Sequence, residues 1–148
     1  MSELEKGMPA ASLVDPLATL PGYLLRRAAN TMMAELSARL AALDLRISEA
    51  TVLLLVDART DLTSADIGKI LDIQRANMVP LLARLEGAGL IRREPLDRKS
   101  LAILLTDEGR TCRARVDTIT RQFEDDLLAR IPPEHRQHLV PALQALIR

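Results

Sequence analysis

The chain has 148 residues, a length that fits a single domain with one hydrophobic core. Apolar residues make up 48% of the sequence but only Tyr23 and Phe123 are aromatic, a mix that favours aliphatic helix packing over a large β core. The formal net charge is zero, and the single cysteine, Cys112, excludes an intrachain disulfide and a cysteine-pair zinc site. Charged residues interrupt the longest apolar stretches and no secretory signal pattern begins the sequence, so we expect a cytoplasmic protein with no membrane partner.

Residues 1–16 show no periodicity and contain Gly7, Pro9 and Pro16, which predicts a flexible N-terminal arm. A helical pattern covers 17–47, where leucine, alanine and methionine recur at spacings of three and four residues. This apolar face is wider than a small monomer can bury, so we predict an N-terminal dimerisation helix.

Residues 48–105 have the pattern of a winged helix-turn-helix. Ser48 is the predicted N-cap of its first helix, and Thr63 or Ser64 caps the second. Gly89 has the C-terminal position of a left-handed helix stop. A charged connection between two β-compatible runs predicts a hairpin, the wing. The predicted elements are helices over 49–59, 65–71 and about 75–88 and strands over 90–94 and 101–105.

Residues 106–148 are predicted to form C-terminal dimerisation helices that begin at the N-cap Thr106 and are broken around Ile131-Pro132-Pro133. The predicted fold is therefore mainly α with a small β-hairpin wing, a winged helix-turn-helix flanked by N- and C-terminal dimerisation helices. Charge supports a nucleic-acid partner, because seven basic and four acidic residues between Lys69 and Ser100 give that segment a charge of +3.

Three strings in this region resemble the MarR family of bacterial regulators: the segment from Leu85 to Arg93, Asp97-Arg98-Lys99, and the segment from Leu104 to Gly109. The resemblance implies a homodimer on a pseudo-palindromic, double-stranded DNA operator, usually repressing transcription until a small molecule or an oxidant intervenes. It also implies that Arg98, at the wing tip, enters the minor groove and that Asp97 steadies an arginine of the wing.

The start of the second short helix is expected to face base edges, with Arg75 pairing with guanine and Gln74 or Asn77 with adenine. The alternative is a solvated helix start with a cap. Pro80 predicts a kink or a displaced first turn, which would shift the base-reading residues by one or two positions. We expect Lys99 on phosphate, Lys69 and Arg84 on phosphate or in solvent, and Ser64 either capping or on phosphate. The DNA-binding candidates are Ser64, Lys69, Gln74, Arg75, Asn77, Met78, Arg84, Arg98 and Lys99, with Asp97 as wing support.

Ligand-sensing relatives bind aromatic carboxylates, phenolics or their thioesters between the dimerisation helices and the DNA-binding lobe. Arg26 and Arg27 could hold a carboxylate or the phosphates of an acyl-CoA, although surface salt bridges are the alternative. Cys112 lies on the apolar stripe of its helix, which indicates a buried core thiol rather than a redox switch. The effector-binding candidates are Tyr23, Arg26, Arg27, Asn30, Met33 and Arg46.

The sequence has no nucleophile elbow, phosphate loop or Cys/His pairing, so we do not expect an enzyme, and we expect no cofactor. His135 and His138 lie one helical turn apart, but a metal pair would need a third ligand. The alternative function is a winged-helix protein-interaction module without specific DNA binding. Such a module would not need a basic wing tip.

Overall fold

The structure, a computed structural model, describes residues 14–147, so most of the predicted N-terminal arm lies outside the described residues. Within them, six α-helices accompany one two-stranded antiparallel hairpin, and the prediction of a mainly α fold with a β wing is confirmed. No helix in this range is both long and apolar enough to cross a membrane. The elements are α1 (Pro21–Leu40), a single 3-10 turn (Ala41–Leu43), α2 (Ile47–Ala58), α3 (Ser64–Leu71), α4 (Arg75–Gly87), β1 (Ile91–Pro95), β2 (Leu101–Leu105), α5 (Asp107–Arg130) and α6 (Pro133–Leu146).

The chain divides into two compact units between Ala34 and Glu35. In the first unit, Asp15 organises the approach to α1. Its carboxylate accepts hydrogen bonds from the backbone N–H of Leu17 at 2.9 Å and from the hydroxyl of Tyr23 at 2.8 Å. These bonds, together with the nearby charge of Arg27, lower the pKa of Asp15.

The core of the second unit lies among α2, α3, α4, the hairpin and α5. Its centre is aliphatic, because every helix of this group turns leucine, isoleucine or valine inward. Side chains no more than 1% exposed include Leu53, Leu62, Ile67, Leu82, Ile103 and Val116.

The start of α2 differs from the prediction. The helix begins at Ile47 with Arg46 as its N-cap residue, so the assignment of Ser48 as the cap is wrong. The side chain of Glu49 accepts the Arg46 backbone N–H at 2.8 Å, which satisfies one of the free donors at the helix start. Glu49 thus supplies the carboxylate of a capping box, and the N-cap residue itself makes no side-chain cap bond.

The end of α4 and the start of α5 are joined by hydrogen bonds. As predicted, Gly89 stops α4 in the left-handed region, with φ of 74°, and the N–H of Leu90 donates to the Leu85 carbonyl. Thr106 caps α5 as predicted, because its hydroxyl accepts the N–H of Gly109 at 3.0 Å. The same hydroxyl donates to the Gly89 carbonyl, and the Thr106 N–H donates to the Leu90 carbonyl at 3.1 Å.

The hairpin pairs on both sides of β2. Arg93 lies opposite Ile103 in the antiparallel register with β1. On its other side, the Ile103 N–H donates to the Leu62 carbonyl at 2.8 Å, and Thr63 forms a bridge with Ala102. The wing is thereby attached to the residues that precede α3.

Candidate nucleic-acid interface

A groove of about 800 Å³ lies between α3, the start of α4 and the hairpin. Four basic side chains line it and only one acidic side chain does, so its field favours an anion. The basic residues are Lys69, Arg75, Arg93 and Lys99, and the acidic residue is Asp72.

The first turn of α4 supplies two of the predicted base-reading residues to this groove. Gln74 is the N-cap residue with no side-chain cap bond, and both it and Arg75 are exposed. Asn77 is also exposed, but it lines a separate groove of about 320 Å³ with Arg46 and Pro80. The two predicted amide readers therefore face different sides of α4.

Pro80 does not displace the first turn of α4. The helix starts at Arg75 and runs through Pro80, its sixth residue, to Gly87. Ala76, whose carbonyl loses a donor to the proline ring, is exposed, so water has access to that position. The structure therefore gives no reason to shift the base-reading residues along α4.

The structure places Met78 in the core, at the base of the groove, which contradicts its prediction as an exposed base-reading residue. Its side chain is 1% exposed and belongs to the core. It packs against Gly68 of α3, where a Cβ would stand 3.2 Å from the Met78 Cγ and 2.9 Å from the Ile73 carbonyl oxygen. Met78 thus occupies the contact between the two helices of the helix-turn-helix.

Arg84 is given a role within the fold. Its Nε donates to the second carboxylate oxygen of Glu49 at 2.9 Å, and the Glu49 side chain is only 3% exposed. A buried carboxylate needs such a partner. This ion pair joins α4 to the start of α2 and leaves the predicted phosphate contact of Arg84 without support.

The N-terminus of α3 lies beside the groove. Thr63 is the N-cap, with its hydroxyl accepting the Asp66 N–H at 3.2 Å, so Ser64 is not the cap. Ser64 and Lys69 both line the groove, and Lys69 is exposed. Their contact with a DNA phosphate therefore remains a prediction.

Asp97 supports the wing through the backbone rather than through an arginine. Its Oδ1 accepts the backbone N–H of Lys99 at 2.7 Å and that of Ser100 at 2.9 Å. No ion pair with Arg98 is present among the described residues, which corrects the predicted arginine contact. Arg98 is exposed at the tip, and Lys99 lines the groove.

These hydrogen bonds make the wing loop sensitive to acid. The Lys99 and Ser100 bonds lower the pKa of Asp97 below 3.8, so their contribution to loop stability is present above that value and is lost as pH falls through the lowered pKa.

We expect Asp97→Ala to speed amide exchange at Lys99 and Ser100 at neutral pH. Asp97→Asn keeps an acceptor oxygen and is the control. Equal protection in all three proteins would contradict this account.

The groove includes Arg93 and Val79, two residues that are not among the predicted DNA-binding residues. Arg93 belongs to the basic segment and to the string that resembles the MarR family, but it is not among the predicted DNA-binding residues; it lines the groove, and its Nε contacts Glu86 at 3.0 Å. Val79 lines the groove with an exposed side chain. The sequence does contain a signal for Val79, because it is an aliphatic residue at a helix position expected to face solvent.

Of the five effector candidates on α1, Tyr23, Arg26 and Arg27 have partners within the first unit. Arg27 lies 3.4 Å from the Asp15 carboxylate, and both Arg26 and Arg27 lie within 5.8 Å of the Tyr23 ring centre. Asn30 and Met33 are exposed. In the second unit, the side chain of Arg46 lines the smaller groove beside Asn77.

Cys112 is partly exposed, and burial raises the pKa of its thiol. A raised pKa reduces the thiolate fraction and so disfavours a redox switch. Within residues 14–147, no group of three or more metal-ligating side chains includes His135 or His138.

The chain is similar to known regulators over most of its length. A sequence profile of the MarR family matches residues 43–100. The HTH-type transcriptional repressor Rv2887 of Mycobacterium tuberculosis is 30% identical over 119 residues, covering 78% of this chain and 86% of the relative.

Two solved structures of the transcriptional repressor CouR are also similar. The structure of CouR bound to a 23-mer DNA duplex is 33% identical, with a TM-score of 0.84 over 93% of this chain and 100% of that chain. The structure of CouR bound to p-coumaroyl-CoA is 30% identical, with a TM-score of 0.81 over 93% of this chain and 98% of that chain.

Proposed function

The chain belongs to the MarR family of transcriptional regulators, and from this we propose that it represses transcription by binding a pseudo-palindromic operator as a homodimer until an effector releases it. The observation that carries the proposal is the basic groove between α3, α4 and the wing. Its relatives are regulators of transcription, which supports a binding function rather than catalysis.

Exposed apolar residues on the terminal helices support the homodimer. None of the residues of α6 from Pro133 to Leu146 is buried, and this helix exposes Val140, Leu143 and Leu146. In the first unit, the segment from Leu17 to Leu25 exposes four leucines. Surfaces of this kind are stabilised by association with a second copy. A two-fold dimer would present its two α4 helices to major grooves about 34 Å apart.

The effector class is proposed from the relatives and from the arginines of α1. CouR has been solved with p-coumaroyl-CoA. In this chain Arg26 and Arg27 lie within 5.8 Å of the ring centre of the only tyrosine, a combination suited to an aromatic acid or its CoA thioester. A thermal-shift series with p-coumarate, free CoA and p-coumaroyl-CoA tests this class, because a ligand of the native state raises the melting temperature. A ligand that is the effector must also lower the affinity of the protein for its operator DNA.

DNA binding is tested by footprinting on the promoter region of the protein's own operon, followed by titration over a range of salt concentrations. Lys69→Ala is expected to weaken binding to all DNA sequences and to reduce the slope of log affinity against log salt by about two, one for each protomer. Arg75→Ala is expected instead to relax base preference, at about 1–3 kcal/mol per contact. Arg98→Ala should also weaken operator binding, through the minor groove.

Two results would overturn the proposal. The first is the absence of a footprint together with an affinity for DNA that does not change with salt concentration. That result would favour the alternative function, a protein-interaction module without specific DNA binding. The second is an unchanged operator affinity in both Arg75→Ala and Arg98→Ala. A uniform loss for Arg75→Ala across all sequences would assign that residue to phosphate.

A further inference from the structure

Helix α4 exposes an apolar stripe that the fold does not use. The stripe consists of Ala76, Val79, Pro80 and Ala83, which follow the spacing i, i+3, i+4 and i+7 of one helix face and are all exposed. Val79 has the largest flexible side chain of the four and is 63% exposed. The leucines and the methionine of α4 lie on the other face, in the core.

Local stability does not account for a valine at position 79. A β-branched side chain loses rotamer freedom in a helix, and a residue that precedes proline is disfavoured in the helical region. Val79 has both disadvantages, because Pro80 follows it. At its exposure it gains little from burial in compensation.

Its neighbours place Val79 where DNA is proposed to bind. It lines the basic groove together with Gln74 and Arg75, and it follows Arg75 by four residues, so the two side chains are neighbours on the helix surface. Arg75 offers donors to a guanine, whereas Val79 offers only methyl groups. In the major groove the complementary feature is the 5-methyl group of thymine, which distinguishes thymine from the other three bases.

We propose that Val79 reads a thymine methyl group in each half of the operator, next to the base pair contacted by Arg75. The inference rests on the proposed DNA-binding function and adds a specificity determinant to it. The small side chains of Ala76 and Ala83 keep the α4 backbone close to the base edges, so that a short side chain such as valine reaches the methyl group.

The test replaces operator thymines by deoxyuridine, one symmetric pair at a time, which removes the methyl group and leaves the hydrogen-bonding edge intact. For the natural protein we expect one symmetric pair to cost about fourfold in affinity per half-site, or about sixteenfold in all, the value of one buried methyl group on each side. Val79→Ala should bind the thymine operator more weakly and lose its response at that pair. Val79→Thr, which keeps one methyl group, should retain part of the response.

Several controls separate the outcomes. Deoxyuridine outside the footprint should have no effect, and affinity for unrelated DNA should be the same for the natural protein and both variants. Thermal unfolding checks that each variant is folded. If Val79→Ala does not fold, the comparison is made with Val79→Thr. Specific binding without any methyl-dependent pair, or with a full response in Val79→Ala, overturns this inference and leaves the proposed function intact. Absence of specific binding by the natural protein overturns both.

Discussion

Gly109→Ala is expected to lower the free energy of unfolding by about 3 kcal/mol or more. Gly109 is buried in the first turn of α5, and a Cβ there would stand 2.9 Å from the carbonyl carbon of Leu90 and closer still to its oxygen. That oxygen accepts the Thr106 N–H, and Thr106 in turn caps α5. The backbone cannot move away without breaking the connection between α4 and α5. Chemical denaturation followed by circular dichroism measures the loss.

Gly87→Ala is the matched control. Gly87 is the last residue of α4 and has no positive φ, and a Cβ added to it would meet no atom within 4 Å, so alanine is tolerated there. We expect it to be neutral or stabilising by up to about 1 kcal/mol, because alanine favours a helix over glycine. All proteins are compared at one concentration, since dimerisation would contribute to stability. Equal stability of the two variants would contradict the close approach at Gly109.

Met78→Ala is expected to destabilise the protein by about 2–5 kcal/mol, the usual range for removing a buried large aliphatic side chain. Met78 is 1% exposed and fills the space between α3 and α4 beside Gly68. The change would leave a cavity at the centre of the helix-turn-helix, which close packing elsewhere cannot fill. Thermal and chemical unfolding measure the effect.

Met78→Leu separates packing from DNA recognition. Leucine nearly conserves the volume, so we expect less than about 1.5 kcal/mol of destabilisation and unchanged base preference. A base-reading methionine would behave differently, because Met78→Leu would then alter operator preference while leaving stability unaffected. That second pattern would reverse the assignment of Met78 to the core.

Prediction from sequence succeeded where a residue type favours one backbone conformation or one local hydrogen bond. Gly89 ends α4 because glycine readily takes a positive φ, and Thr106 starts α5 because its hydroxyl accepts a free backbone N–H. At the start of α2 two local signals competed. Ser48 is a strong capping type, but the helix begins one residue before it, and Glu49 accepts the N–H of the N-cap residue Arg46.

Prediction from sequence failed where the role of a residue depends on which face of a helix is buried or on partners that are distant in sequence. Met78 and Val79 are adjacent in sequence, yet one is buried and the other exposed, and only the packing of α4 against α3 determines which. Arg84 meets Glu49 across a separation of 35 residues, which composition and charge do not reveal. The loop role of Asp97 required the backbone geometry of the wing.

The attachment of Leu62 and Thr63 to β2 has a consequence for solubility. A two-stranded hairpin would present two open edges, and unpaired strand edges recruit other chains into aggregates. Here one edge of β2 is covered by Leu62 and Thr63, through the Ile103 N–H and the Thr63–Ala102 bridge. The outer edge belongs to β1, where a run of charged residues ends at a proline that has no N–H to donate. The wing can therefore extend from the protein, as its proposed contact with DNA requires, without offering a template for strand addition.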